Sequence, residues 1–461
     1  MLPTSFNRHP ASYRDPSGFV YCSEGHLYRQ VNKVFKEDYE HFIKSGYAQQ
    51  LIDSGSMIPF EEVAQMSTVT EDGYKIIKPL ILDFISYPYE WSFTMLKDAA
   101  LLTLSLAKEA IKYGLLLKDA TPYNIQFYRN KPVLIDTLSF ELIDTTKPWI
   151  AYRQFCESFL APLALMHYSK MPLQALLLTY PDGIPLPITQ KLLPLRSKIN
   201  LNTYLHLHLH SSYSNNSAIG NKEKSIKFSE TKFINILENL EKTVSSYTLH
   251  HKAIWSGYYN EAQQRPDYIT QKKEVIERWI NNNSSIKKAI DVGANEGLFS
   301  ELLASKNILT IAADFDHFSI DELYKRNKEK GEKNIHSLLI DLSNPSPAIG
   351  LNNKERASLM ERVQCDLVLA LAVLHHLCIG KNIPFAAIAL FLKSLGKVLI
   401  IEFVPKEDEK IALMLQQKKD IYPWYTEKEF TESFSTLYEI KERQEIKGSK
   451  RVLYLMERHA E

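Results

Sequence analysis

The chain has 461 residues, which at about 150 residues per domain corresponds to two or three folded units. Hydrophobic residues make up 45% and charged residues 24%, enough apolar material for packed cores and too much for wholesale disorder. Lys plus Arg number 55 against 54 Asp plus Glu, a formal net charge of +1, so the balance gives no electrostatic footprint for nucleic acid or an anionic membrane.

The apolar run Leu367 to Leu374 reaches eight residues, against about 20 for a membrane-spanning helix. The opening MLPTSFNRHP lacks the apolar core of a signal peptide. Cys22, Cys156, Cys365 and Cys378 show no CxxC spacing, which argues against a disulfide scaffold or a zinc ribbon and leaves no metal site expected. A soluble, cytoplasmic, multidomain protein without a membrane partner is the expectation.

In chain order, Phe19–Cys22 and Leu27–Val31 flank Ser23-Glu24-Gly25-His26 and predict a hairpin. Glu37 to Leu51 carries apolar residues at helical spacing. From Ser92 to Tyr113, Leu96, Ala99, Ala100, Leu102, Thr103, Leu106 and Ala110 share one side of a strong amphipathic helix. Two short strands are expected at 125–127 and 132–136. Residues 150 to 210 have a helical pattern broken at Pro185, Pro187 and Pro194. Within them Leu205-His206-Leu207-His208-Leu209-His210 alternates with period two. A half-exposed strand is expected there, in preference to a metal-binding row of imidazoles that lacks an acid or Cys partner. The Ser/Asn-rich stretch 210–225 is the best internal boundary. Helical patterns follow at 229–246 and 268–282, with Trp255, Tyr258 and Tyr259 between them, placed either in packing of the linker or at a substrate mouth.

From Lys287 the pattern changes. Apolar runs at 288–292, 308–313, 335–340, 366–374 and 397–403 alternate with helical stretches, the signature of βαβ units and a parallel sheet covered on both faces. Runs near 434–440 and 451–456 close the chain as a hairpin. The expected organisation is an α+β N-terminal domain at 1–210, a linker and helical cap at 211–284, and a doubly wound, Rossmann-like α/β domain at 285–461.

The most informative stretch is Asp291-Val292-Gly293-Ala294-Asn295-Glu296-Gly297. A buried strand runs into a glycine turn and then a helix, where backbone can approach a ligand and free N–H groups are presented. The next strand ends in Asp314, seventeen residues beyond Gly297, where an acid accepts hydrogen bonds from ribose hydroxyls. The third ends in Asp341. DVGANEG, IAADFD and LVLALAVLHHL, in this order and spacing, resemble the class I S-adenosylmethionine-dependent methyltransferases over about residues 285–460. That resemblance implies Gly293, Asn295 and Gly297 beside the methionine part of S-adenosylmethionine, Asp314 on the ribose and Asp341 near the adenine, with Asp291 and Ala370 also among the cofactor-binding residues. A dinucleotide site, the rival reading, wants a phosphate-cradling G-x-G-x-x-G. Here Asn295 and Glu296 stand in the turn, and an acid there repels a pyrophosphate.

The fourth strand continues into His375-His376 at the carboxyl edge, where open α/β sheets bind ligands. Either imidazole is a candidate general base for an oxygen or nitrogen nucleophile, against the alternative that the pair packs or caps the turn. No Asn/Asp-Pro-Pro-Tyr follows this strand, which leans away from a nucleic-acid base as acceptor. Glu402 stands at the site edge or in solvent.

Asp119 and Asn124, followed by Val133-Leu134-Ile135-Asp136, resemble the catalytic and metal loops of the protein-kinase-like fold. There the first Asp orients the hydroxyl and the other two residues hold magnesium. Leu117-Lys118 stands for the usual His-Arg, Thr137-Leu138 for Phe-Gly, and no Gly-rich phosphate loop precedes them. Arg29 is the nearest candidate for the phosphate-binding lysine position. A remnant without phosphotransfer is expected, with Asp119 and Asn124 bonding the loop between Leu117 and Ile125. The whole chain is also similar to bacterial methyltransferases of the nodulation-protein type, in which DATPYNIQF-like and EFVPKED-like segments occur together, and this implies carbohydrate-like acceptors. The leading function is methyl transfer to an unidentified acceptor. The alternatives are a non-catalytic cofactor-binding module and a bifunctional kinase–methyltransferase.

Overall fold

A computed structural model describes residues 6–64, 67–209, 228–249, 266–416 and 419–460. Trp255, Tyr258, Tyr259 and the 210–225 boundary fall outside these. The chain divides into two compact units: Met1–His251 with Ala348–Arg356, and Lys252–Pro347 with Ala357–Glu461.

In the first unit, β1 (Asn7–Arg8), β2 (Gly18–Ser23), β3 (His26–Asn32), β4 (Phe60–Glu62) and β5 (Gly73–Pro79) form an antiparallel sheet in the order β1-β2-β3-β5-β4. The expected hairpin is β2–β3. The helical pattern at 37–51 proves to be two helices, α1 (Lys36–Lys44) and α2 (Tyr47–Asp53), because Gly46 takes a left-handed φ of 82° that a continuous helix does not allow. The long helix α3 (Phe93–Ile111) starts at Ser92, whose Oγ accepts from the Met95 N–H, and buries Leu96, Ala99, Ala100, Leu106 and Ala110. Short pairs follow: β6 (Leu115–Leu117) with β9 (Phe140–Leu142), and β7 (Ile125–Tyr128) with β8 (Lys131–Leu134). Helix α4 (Ala161–Ser169) is buried almost all round, and α5 (Glu230–Ser246) packs on α3.

Leu205–Leu209 is not a strand, and His210 lies outside the described residues. Tyr204–Leu209 continues the helical turn Leu201–Thr203 as a wide helix. Its imidazoles are used in packing: His206 Nδ1 bonds the Tyr152 hydroxyl at 2.7 Å and its Nε2 meets Asn239 Oδ1 at 2.8 Å, while His208 Nε2 meets Ser197 Oγ at 2.9 Å. Those partners, distant in sequence, override a period-two pattern only six residues long.

The second unit opens with α6 (Pro266–Asn281). Then come β10 (Lys288–Val292), α7 (Leu298–Ser305), β11 (Leu309–Asp314), α8 (His317–Lys330), β12 (Ile335–Leu339), β13 (Cys365–Ala370), α9 (Phe385–Leu395), β14 (Gly396–Phe403), α10 (Glu409–Gln416), α11 (Glu427–Ser435), β15 (Tyr438–Glu445) and β16 (Val452–Arg458). The sheet order is β12-β11-β10-β13-β14-β16-β15, parallel through its first five strands and antiparallel at β16 and β15. This is the doubly wound sheet expected from the alternating runs, closed by the expected hairpin. One core joins Ile276 and Trp279 of α6 to Ala289, Leu367, Ile400 and Leu453; a second joins Ala312, Ile320, Leu323 and Ile335. No described helix is long and apolar enough to cross a membrane.

Candidate functional site

Strand order reverses between β10 and β13, the switch point where an open α/β sheet leaves a crevice at its carboxyl edge. A cavity of ≈ 280 Å³ lies in the second unit, walled by the ends of those strands and the turns after them. Asp291, Gly293, Asn295, Asp314, Asp341 and His376 all line it. The candidates drawn from separate segments thus meet in one place.

The glycine turn is built for close approach. Gly293 has φ 78°, and a Cβ there would stand 3.3 Å from the Val373 side chain across the cavity wall. Gly297 serves the fold instead. At φ 81° it caps α7, and a Cβ would fall 2.6 Å from Leu323 of α8. Asn295 also takes a left-handed φ, 50°.

Asp314 is 7% exposed. Its Oδ2 accepts from the Asn295 N–H and its Oδ1 from the Asp316 N–H, each at 2.8 Å. Burial nevertheless raises its pKa above the ordinary carboxylate value. Each oxygen keeps a further lone pair, so a ligand diol bonding here would relieve that cost. Beside it Phe315 lines the cavity and is 57% exposed, an aromatic side chain of the kind that suits a planar ring. Asp341, about half exposed, accepts from the Ser343 N–H at 2.8 Å and lies 3.9 Å from Lys381 Nζ.

Asp291 accepts from Ser300 Oγ at 2.7 Å, and burial lifts its pKa to about 7. A carboxyl whose folded pKa is raised contributes stability that is full in acid and lost as pH rises toward that value. Asp291→Asn, which keeps a partner for Ser300, is therefore expected to raise the melting temperature more at pH 8 than at pH 5. An equal shift at both values would mean that Asp291 is not held protonated.

The histidine pair divides. His375 is 2% exposed and stands behind the wall, burial holding its pKa well below 6.5. His376 lines the cavity, its pKa also lowered, first by burial and then by Lys410 and Arg451. The rings lie 4.2 Å apart. Ala370 ends β13 fully buried, and the wall is made by Leu371, Ala372 and Val373 after it. Glu402, fully buried, meets Lys272 Nζ at 2.7 Å and the Tyr268 hydroxyl at 2.5 Å. Lys272, Ile269 and Phe315 were missed by sequence reasoning. Phe315 had a signal, an aromatic directly after a strand-ending acid. Lys272 had none, since Lys272-Lys273 on a polar-looking helix gives no sign of which lysine turns inward.

In the first unit, Asn124 and Asp136 come together, and Arg29 joins them. The Arg29 guanidinium pairs with Asp136 Oδ1, Ser139 Oγ donates to Oδ2 at 2.8 Å, and the Leu138 N–H donates at 3.1 Å. Asn124 bonds the 117–125 loop through its backbone N–H, which donates to Thr121 O at 3.2 Å, while its side-chain amide donates to Ser139 Oγ at 3.2 Å. Burial and then Asp136 raise the pKa of Asp119. Among the described residues no cluster of His, Cys, Asp and Glu has metal-site geometry.

Nodulation protein NoeA of Rhizobium meliloti (strain 1021) is 30% identical over 457 residues, spanning 97% of this chain and 95% of that protein. No family model matches the chain. Solved structures with a likeness include WbdD, at 17% identity over 42% of this chain and 40% of that one, with a TM-score of 0.29. Others are magnesium protoporphyrin IX methyltransferase (ChlM) from Synechocystis PCC 6803, at 15% over 42% and 84% with 0.30, and N-methyltransferase NodS from Bradyrhizobium japonicum WM9, at 14% over 42% and 97% with 0.32.

Proposed function

The chain belongs to the family of nodulation protein NoeA, and from that membership and its own cavity we propose that it transfers a methyl group from S-adenosylmethionine to an oxygen or nitrogen nucleophile. The observation that carries the reading is Asp314: a buried carboxylate at the end of β11, fixed by two backbone N–H groups and lining a cavity at the sheet's switch point. A ribose diol satisfies it. The close-approach turn at Gly293 then faces the methionine part, and Phe315 and Asp341 face the adenine. A lining that includes Asp291, Asp314 and Asp341 suits a ligand that carries a sulfonium and no phosphate. The cofactor brings an already activated methyl group, so the protein's work is to orient it against the acceptor, exclude water and remove one proton. His376, neutral near pH 7 because its pKa is lowered, is the group placed to take that proton.

Asp314→Ala is expected to weaken S-adenosylmethionine binding by about 1.5–3 kcal/mol, the range for losing hydrogen bonds to a charged group. Calorimetry on the folded variant measures it, and unchanged affinity would put the ribose elsewhere. Methyl transfer from labelled cofactor into fractionated cell extract tests the activity. Label in polysaccharide, protein or RNA identifies the acceptor class, and label in none favours a binding module that does not catalyse.

A further inference from the structure

The cavity wall carries two lysines with opposite surroundings. Lys381 is more than half exposed, whereas Lys272 of α6 has 3% of its side chain exposed. Burying an ammonium is costly unless it is paired, and Lys272 is held by a cluster. Its Nζ donates to Glu402 Oε2 at 2.7 Å and to the Tyr268 hydroxyl at 3.2 Å. That hydroxyl donates to Glu402 Oε1 at 2.5 Å and accepts from Arg451 at 2.9 Å. Arg451 in turn forms a two-pronged pair with Asp408, at 2.8 and 3.0 Å. Two cations and two carboxylates balance within this cluster. An ammonium has three protons to give, so the two bonds drawn from Lys272 leave one for a ligand.

The cluster meets the cavity where Asp291 also reaches it. Lys272 Nζ stands 5.2 Å from the ring centre of Phe299, whose neighbour Ser300 holds Asp291, and Lys272 and Asp291 both line the cavity. One end of the cavity thus presents a buried cation and a carboxyl together beside an apolar ring. The chemical group that matches is an α-amino-acid zwitterion. We propose that Lys272 binds the carboxylate of the cofactor's amino-acid moiety, and that Glu402, Tyr268 and Arg451 are positioning residues that hold its ammonium at the wall. The assignment rests on the methyltransferase reading above.

The test compares S-adenosylhomocysteine, which has the amino acid, with 5′-methylthioadenosine, which lacks it. In Lys272→Met combined with Glu402→Gln, which removes both members of the pair, calorimetry is expected to show S-adenosylhomocysteine binding about 10–100-fold more weakly. Affinity for 5′-methylthioadenosine should stay within about threefold. Equal losses for both ligands, or no loss for either, overturn the assignment. Should that pair of changes prevent folding, Lys272→Gln with Glu402→Gln keeps a hydrogen bond in place of the ion pair and is read in the same way. If the unaltered protein binds neither ligand, the cofactor reading itself fails and takes this assignment with it. That outcome differs from a protein that binds both ligands and whose variant loses neither.

Discussion

Replacing His376 with glutamine is expected to lower methyl transfer by roughly 10²–10⁴-fold, the usual contribution of a positioned general base, with cofactor affinity near that of the unaltered protein. Glutamine keeps a polar side chain of similar reach on the cavity wall, so the loss would report proton transfer more than shape. The pH profile separates the two. Burial, Lys410 and Arg451 all disfavour the imidazolium, so the base form predominates at neutral pH and the rate should fall only when pH drops below the ordinary histidine value of about 6.5. In His376→Gln that acid limb should disappear. His375→Gln should behave differently: its ring is buried and does not line the cavity, so loss of stability should accompany any loss of rate. Turnover unchanged in His376→Gln would remove the imidazole from the mechanism.

The sheet and its glycine turn were legible because they are local. Strand runs of five or six apolar residues and an acid at a strand end survive in any context that builds a parallel sheet, and so the glycine turn, its spacing to Asp314 and the family resemblance together named Asp291, Gly293, Asn295, Asp314 and Asp341. What spacing could not give was direction. Gly293 and Gly297 look equivalent in sequence, yet one opens the cavity and the other lets α8 approach α7 through Leu323. His375 and His376 are neighbours, but the turn aims only the second at the cavity. Lys272 was invisible for a further reason. Its partner Glu402 is 130 residues away, and the burial that makes the lysine notable arises only when α6 packs on the sheet. The same cause misled the reading of Leu205–His210, whose pattern fits a strand until Tyr152, Asn239 and Ser197 are brought to the imidazoles.

Arg29→Ala is expected to destabilise the first unit by about 3–5 kcal/mol, the cost of leaving a buried carboxylate without its cation, and to create no affinity for Mg-ATP. The side chains of Arg29 and Asp136 are 11% and 13% exposed, and Asp15 lies 3.8 Å from the same guanidinium. Burial alone would push the Asp136 pKa up, but Arg29 and the bonds from Ser139 and Leu138 bring it below its ordinary value. A carboxylate lowered in this way contributes stability above about pH 4 that is lost as pH falls further, so the gap between Arg29→Ala and the unaltered protein should narrow in acid. The position where a phosphotransferase would place magnesium is thus served by a guanidinium that belongs to the chain. With Arg29 present, millimolar Mg-ATP should leave the melting temperature unchanged. With Arg29 removed, magnesium alone should recover little of the loss, because Asn124 is committed to Ser139. Micromolar, magnesium-dependent ATP binding by the intact protein, abolished in Asp136→Ala, would overturn this account. Arg29 would then have to give up Asp136 on binding, and a kinase–methyltransferase would become the leading description of the chain.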